Sequence, residues 1–417
     1  MKLRFSSELL CKRNPHHVRR LDAWVKARWP DVPETWEQFL RRLPGFYPLD
    51  VVHSLERLGL PSEFLSPTSY RISSSSPREA FPDVLEHPLD YEWRFAGQSV
   101  GSVLDKIRDF AKENSRPSIV CLGCPSIAVG GEDAFPSWRW TLLDRRAELL
   151  RTRISNVRLE ACDLTLDHPD LPMSDAAVVD PPWYMPITKH FLLRAQALTK
   201  QGGIVLLSSP PEGTRPKAKD DLIELLEWCN AGGLEPVQVN YGHLFYRTPF
   251  FEWNSLKAAG FSARVPAWRR ADLLVFVNKC GSACRLRYDE AVPKKFSGSW
   301  RQYARDGLKF CVSVSGNDEA QSTRHDSRSI LPVWTEAVLP TVSTSFPGRD
   351  GANLVTSGNR FLRCADPASI STILEGWVRG EPLSASQSLD ASMSTTLASI
   401  ISDELADRDE YLKHTYD

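Results

Sequence analysis

Asp180-Pro181-Pro182-Trp183-Tyr184 places a carboxylate, two prolines and two aromatic rings at the end of an apolar run, Ala176-Ala177-Val178-Val179. The run is too short to span a membrane, and its valine pair favours a strand. Neither proline can donate to a sheet ladder, so the strand is predicted to stop at Asp180. In open α/β sheets the carboxyl edge of the strands is where ligands bind. The stretch therefore reads as a buried strand that delivers a rigid polar site. The plainer reading is a proline-terminated strand with aromatics in the core.

Other candidate residues fall at matching places. A strand over Ser118–Leu122 leads into Leu122-Gly123-Cys124-Pro125, and a glycine at the first strand-to-loop turn lets the backbone approach a cofactor closely. Asp144 closes the next strand about 20 residues further on, where an acid can hold both hydroxyls of a ribose. Cys162-Asp163-Leu164 follows a third strand, and there Asp163 either holds an adenine amino group beside Leu164 or is an ordinary turn or N-cap acid. Tyr241–Glu252 is crowded with aromatics and leads into a helix predicted over Phe250–Ala259. In it Tyr246 and Arg247 either stack on or pair with a substrate, or pack the insertion onto the sheet. Cys280 and Cys284 have loose metal spacing, but no second Cys or His pair follows, so no metal site is expected. Cys121 and Cys124 fall partly inside the first strand and read as core or turn residues.

The elements that must position these residues alternate from Pro117 onward. Strands are expected at Ser118–Leu122, Trp140–Asp144, Val157–Leu159, Ala176–Asp180, Gly203–Ser208, Pro236–Val239 and Asp272–Val277. Helices are expected at Arg145–Arg153, Ile187–Thr199 and Lys219–Ala231, with an entry helix over Gln98–Lys112. This order predicts a doubly wound α/β, Rossmann-like sheet closing on an antiparallel pair. Three domains are expected: 1–95, helical and possibly winged-helix; 96–280, the sheet; and 281–417, a small α+β domain. The last has strand-like runs at Ala337–Val342 and Arg360–Cys364, a helix from Ala368 and a helical period through Leu397 to Leu405. A Ser/Pro-rich loop from Pro61 to Pro82 and a Ser-rich stretch from Ser384 punctuate the chain.

Lys and Arg number 51 against 52 Asp and Glu, so there is no overall electrostatic pull toward nucleic acid or membrane. Locally, the first 60 residues carry eleven Lys/Arg against seven Asp/Glu, which suits either a phosphate backbone or a solvated face that packs on the next domain. The odd number of cysteines, nine, spread thinly, points to a reducing, cytoplasmic setting. No apolar run approaches the roughly 20 residues that cross a bilayer, so no membrane partner is expected.

Together, Asp180-Pro181-Pro182-Trp183, the Val120–Gly123 turn and Asp144 resemble class I S-adenosylmethionine-dependent methyltransferases. The likeness is to those with an Asp-Pro-Pro-aromatic motif that methylate amino nitrogens, and it runs from Pro117 to Lys279. Gly123 precedes Asp180, the motif order of many DNA and ribosomal-RNA adenine enzymes and of some protein-lysine enzymes, whereas messenger-RNA-type enzymes reverse it. The Leu-Gly-Cys-Pro turn is similar to the Leu-Gly-x-Pro turn of a eukaryotic ribosomal-RNA adenine enzyme and departs from acid-x-Gly-x-Gly.

The resemblance implies S-adenosylmethionine at Leu122, Gly123, Cys124, Asp144, Asp163 and Leu164, with Asp180, Pro181, Pro182 and Trp183 as the catalytic set and Tyr184, Tyr246 and Arg247 facing the substrate. It implies that Asp180 and the Pro181 carbonyl accept the N–H groups of adenine N6 while Trp183 stacks on the base, worth about 1–3 kcal/mol. A nucleic-acid substrate is thus expected, with protein lysine as an alternative. Branched-chain polyamine synthases, which are aminopropyltransferases, carry Asp-Pro-Pro at the same place, but they put several acids in the first glycine turn, and this chain has none before Glu132. A non-catalytic binding module is the remaining alternative.

Overall fold

Three short amphipathic segments open the chain, and each has the cap its sequence predicts. α1 (Pro15–Arg28) starts at Asn14, whose side chain accepts the His16 N–H. α2 (Trp36–Arg42) starts with a reciprocal Thr35/Gln38 capping box. α3 (Pro48–Leu58) stops at Gly59, in the left-handed conformation. β1 (Glu34–Thr35) and β2 (Leu65–Ser66) form a two-residue parallel pair beside them. The computed structural model describes residues 14–31, 34–62, 65–66, 93–111, 114–151, 154–261, 263, 265–280, 286–288, 300–313, 330–334, 337–342, 346, 349–382 and 391–416. Most of the Ser/Pro-rich loop, the first part of the Ser-rich stretch, residues 384–390, and Cys284 lie outside them.

After α4 (Gly97–Phe110) come β3 (Ser118–Leu122), α5 (Pro125–Ala134), β4 (Arg139–Asp144), β5 (Val157–Ala161), β6 (Ser174–Val179) and α6 (Met185–Leu198). The sheet is completed by β7 (Thr199–Ser209), α7 (Ala218–Ala231), β8 (Leu234–Phe245), α8 (Phe250–Ala258) and β9 (Arg270–Asn278). The strands lie in the order β5-β4-β3-β6-β7-β9-β8, parallel except that β9 runs against both neighbours. Counted along the chain this is 3-2-1-4-5-7-6 with strand 7 reversed, a doubly wound, Rossmann-like arrangement. Alternate residues of β3 face opposite layers. Ile119 and Cys121 pack toward α4 and α5, and Val120 and Leu122 toward α6 and α7.

Three elements differ from the sequence expectation. Pro125–Ala134 is a helix, α5, where the sequence pattern places only a connection between the first two strands. Its glycines serve contact, because a Cβ on Gly131 would lie 2.3 Å from the Trp140 ring and one on Gly130 2.5 Å from Val100. The helix expected at Arg145–Arg153 shrinks to a 3-10 turn, Ala147–Leu150. β8 runs through Phe245 across an irregularity at Asn240/Leu244, so much of the aromatic stretch is strand rather than insertion.

Residues from 300 onward form a second sheet, β10 (Trp300–Arg305), β11 (Leu308–Ser313), β12 (Ile330–Pro332), β13 (Leu354–Thr356) and β14 (Phe361–Cys364), in the order β10-β11-β13-β14-β12. α9 (Pro367–Arg379) and α10 (Ala391–Tyr416) pack on it. The sequence pattern misses the β10–β11 hairpin, whose two-residue turn Asp306-Gly307 has positive φ at both positions. The strand expected at Ala337–Val342 is reduced to one bridge, Val338 to Arg360, because this segment turns around the Asn359 side chain.

The contact at Gly131 yields a direct check. Gly131→Ala should lower stability to urea by about 1–3 kcal/mol, since the Trp140 ring cannot move without disturbing a packed core. Gly101→Ala in α4, where an added methyl meets nothing within 4 Å, should be neutral or mildly stabilising.

Candidate active site

The ends of β3, β4 and β6 are in register, with Leu122 opposite both Leu143 and Val179. Two backbone hydrogen bonds carry the alignment beyond the strands: Gly123 N–H to the Leu143 carbonyl at 2.9 Å and Asp180 N–H to the Leu122 carbonyl at 3.0 Å. Gly123, Asp144 and Asp180 therefore meet at the carboxyl edge, at the point where connections from the central strands leave in opposite directions. Gly123 has φ +67, and a Cβ there would lie 3.1 Å from the Asp180 carbonyl oxygen and 3.0 Å from the Phe191 ring. Only glycine satisfies both the conformation and the approach.

Asp180 is the end of a hydrogen-bond chain. The Trp183 indole N–H can only donate, and it lies 3.4 Å from Ser208 Oγ. The Ser208 hydroxyl contacts Tyr246 Oη, and the Tyr246 hydroxyl contacts Asp180 Oδ1, both at 2.5 Å. When Asp180 is ionised the Tyr246 hydroxyl donates to it, and the Ser208 hydroxyl, which neighbours both Tyr246 and Asp180, links them to the Trp183 indole. Burial pushes the Asp180 carboxyl up to about 7, against the lowering effect of the hydrogen bonds from Tyr246 and Ser208 and of the Arg94 charge. Burial and the neighbouring carboxylate push the Tyr246 phenol well above its usual range, so it remains a proton donor in the chain.

Aromatic rings enclose this chain. Tyr246 stacks on Phe95 at 4.6 Å, and Trp93 and Trp183 meet it edge-on. The Arg269 guanidinium lies over Trp93 at 3.7 Å and near Trp183 at 5.4 Å, and it pairs with the fully buried Glu252 of α8 at 3.1 Å. Burial raises the Glu252 carboxyl to about 7 in spite of Arg269. Arg215 donates to the Trp183 carbonyl at 2.6 Å while held by Asp221. The loop carrying Arg215 is gripped in turn by the first helical unit: Arg20 donates to the Glu212 carbonyl at 2.7 Å, and Gly213 N–H to the Pro44 carbonyl at 2.8 Å.

The residues singled out by sequence are placed as follows. Leu122, Gly123, Asp144, Asp180 and Pro181 gather at the crevice. Cys124 turns its thiol into the core, where it contacts the Val178 carbonyl at 3.3 Å, so its backbone is what it offers at the edge. Asp144 accepts the Arg146 N–H at 2.8 Å. Asp163 closes its own turn by accepting both the N–H and the hydroxyl of Thr165, beside buried Leu164. Pro182 accepts the Tyr184 N–H in a tight turn, leaving Tyr184 on the surface at 39% exposure. Tyr246 was expected to face the substrate. Its ring is instead 2% exposed and covered by Phe95, which makes it a partner of Asp180 rather than a stacking surface. Arg247 joins its N–H to the Arg94 carbonyl.

Sequence reading passed over Trp93, Arg94, Phe95, Ser208, Arg215, Glu252 and Arg269. The available signal was the Trp-Arg-Phe triplet just before the entry helix, where Phe95 pairs with Tyr246 as an isolated bridge. Among the described residues no group of three His, Cys, Asp or Glu side chains could hold a metal ion, and no helix is long and apolar enough to cross a membrane.

No protein-family model matches the sequence, and no curated protein matches it either. Solved structures do align with the fold. The branched-chain polyamine synthase of Thermus thermophilus, in complex with N4-aminopropylspermidine and 5′-methylthioadenosine, is 12% identical over 66% of this chain and 89% of its own, with a TM-score of 0.46. The N-methyltransferase NodS of Bradyrhizobium japonicum, in complex with S-adenosyl-L-homocysteine, is 16% identical over 43% of this chain and 86% of its own, TM-score 0.29. A putative RNA methyltransferase of Pyrococcus horikoshii is 11% identical over 46% and 89%, TM-score 0.34. The fold assignment rests on the strand order given above.

The raised carboxyl has a consequence for stability. With a folded-state pKa near 7 and an ordinary value of 3.8, Asp180 holds its proton more tightly in the folded chain, so it lowers stability progressively as pH rises between those values. Asp180→Asn should therefore be more resistant to urea than the native chain at pH 8, and the gain should shrink toward pH 5. A gain independent of pH would contradict a raised carboxyl.

Proposed function

We propose that this chain transfers the methyl group of S-adenosylmethionine to an amino nitrogen, and that the acceptor is adenine N6 in a nucleic acid. The observation that carries the reading is the hydrogen-bond chain ending on a desolvated Asp180 at the sheet's switch point, one strand away from Gly123. The cofactor fits this edge because Gly123, with positive φ, turns the backbone sharply at the carboxyl end of β3, and Asp144 stands at the end of the adjacent strand for a ribose. Bound there, S-adenosylmethionine would supply an electrophilic sulfonium methyl.

The residues of the chain do the rest. An adenine amino group is a poor nucleophile because its lone pair is delocalised. Asp180 and the Pro181 carbonyl accept its two N–H groups and draw the nitrogen toward tetrahedral geometry. The fixed φ of Pro182 holds that carbonyl without a competing N–H. Asp180 then takes the proton the nitrogen sheds, and a carboxyl near 7 suits that exchange at neutral pH. Tyr246 holds the carboxylate in one orientation, and Trp183, fixed at its indole by Ser208 and at its carbonyl by Arg215, supplies a ring to cover the base. A base in a duplex must be flipped out to reach this depth.

The aromatic enclosure supports adenine over a lysine or a polyamine. Arg269 already holds the cation–π position over Trp93 and beside Trp183 that a cationic amine would take. Arg215 and Arg269 are themselves paired with Asp221 and Glu252, so the support is this occupancy and not net charge.

The rate of methyl transfer to an adenine-containing oligonucleotide should rise with pH up to about 7 and then level, as Asp180 ionises. Tyr246→Phe removes a hydrogen bond that lowers the carboxyl, so the rising limb should move upward by up to about one pH unit. Asp180→Ala should cut turnover by about 100-fold or more while S-adenosylhomocysteine still binds in calorimetry. Retained turnover would remove Asp180 from the reaction. Preference for the decarboxylated cofactor with spermidine would replace the reading by aminopropyl transfer, and cofactor binding with no turnover on any acceptor would favour a binding module.

A further inference from the structure

The 300–416 module is joined to the catalytic sheet through α8, the helix that also carries Glu252. Six of the nine residues of α8 are buried. Phe250 and Trp253 pack into the core of the second sheet against Tyr411 of α10. Leu256, Ala259 and Phe261 close the core of the first helical unit, and Phe251 meets Trp93 edge-on at 5.5 Å. Glu252 reaches Arg269. One helix thus belongs to two cores and touches the active-site enclosure through Phe251, and the side of it that matters to the acceptor is the Glu252–Arg269 pair lying on Trp93 and near Trp183.

The join to the module is polar and specific. Asn254 Nδ2 donates to the Gly358 carbonyl at 2.7 Å, and Asn359 Nδ2 donates to Ser255 Oγ at 2.7 Å. Ser255 in turn donates to the Phe251 carbonyl. Both module contacts come from one turn, Thr356–Arg360, in which Asn359 takes the left-handed conformation, unusual for a residue other than glycine. That turn is held from behind by Glu404 of α10, fully buried, which accepts from Thr356 Oγ1 at 2.7 Å and Gly358 N–H at 2.9 Å and pairs with Arg360. Lys257 of α8 reaches Asp407 and Glu410, and Tyr411 donates to the Thr248 carbonyl, two residues after Tyr246. A buried carboxylate, a strained turn and two amide side chains therefore converge on one short helix.

We propose that the 300–416 module sets the acceptor wall of the active site, with Asn254, Asn359 and Glu404 acting as positioning residues that fix α8 and hence place Arg269 against Trp93 and Trp183. Arg269 is then the residue through which this module governs which acceptor is held. The acceptor part of this proposal rests on the function proposed above; the mechanical part does not.

The test uses the full chain. Asn359→Gly keeps the left-handed turn without strain and removes only the amide. Hydrogen exchange should then quicken by about tenfold or more in α8 and in the Tyr246–Thr248 segment, while β3, β4 and β6 stay protected. Quickening confined to residues 300–416 would overturn the proposal. Ser255→Ala, which removes the acceptor on the helix side, should give the same pattern and serves if Asn359→Gly does not fold. For a single-stranded oligonucleotide with one adenine, both variants and Glu252→Gln should raise KM about five- to tenfold with S-adenosylhomocysteine affinity unchanged, and Asn359→Gly with Glu252→Gln together should do little more than either alone. Additive effects, or an unchanged KM, would overturn the link to the acceptor. If the oligonucleotide is not a substrate at all, the proposed function fails, and the exchange pattern still decides the mechanical proposal.

Discussion

A carboxylate withdrawn from water is the constraint around which the molecule is arranged. Asp180 ends a parallel strand buried on both faces, and at that place an ionised group is stable only if its surroundings supply oriented dipoles. Tyr246, Ser208 and the Trp183 indole supply them in series. The carboxyl still sits near 7, so the compensation is deliberately incomplete: enough to keep a base at neutral pH, too little to make it the inert acid of an ordinary surface. Stability is given up at the one position where proton affinity is useful.

Keeping that arrangement requires elements from across the chain. Trp93, Arg94 and Phe95 arrive before the entry helix, Ser208 comes from the end of β7, Arg215 from the loop gripped by the first helices, and Tyr246 from the end of β8. Glu252 comes from α8, which belongs to two cores. No one of these segments could fix the site alone. A one-residue slip in β8 would turn Tyr246 away from Asp180, and register there is set by pairing with β9, Leu244 opposite Ala271 and Phe245 opposite Arg270. The helical unit and the second sheet act through packed contacts on loops and helices bearing site residues.

What was legible in the sequence followed from local rules. The apolar run ending in Asp180-Pro181-Pro182 announced a strand end at the ligand edge, and Gly123 and Asp144 followed from the glycine turn and the acid after it. All three stand at the carboxyl edge in the structure. Legibility failed where tertiary contact overrode a local signal. The segment after Pro125 gave no helix signal, yet Gly130 and Gly131 let a helix lie against Val100 and Trp140, and Tyr246, read as either meeting a substrate or packing onto the sheet, became the donor to Asp180. Glu252, Arg269 and Asn359 were silent because each gains its meaning only from a partner distant in sequence. Of the second sheet, the run at Arg360–Cys364 and the helix after it were legible, whereas β10 to β13 are short and, beyond the β10–β11 hairpin, too far apart in sequence for a period to accumulate.

The most direct test of the account is the identity of the methylated product. The full chain is incubated with methyl-labelled S-adenosylmethionine and a pool of single-stranded and duplex oligonucleotides, lysine-containing peptides and spermidine. The products are then digested and resolved by mass spectrometry. The account predicts label in N6-methyladenine or its nucleoside, lost in Asp180→Ala. Label in lysine or in the polyamine, or label that survives Asp180→Ala, would contradict it.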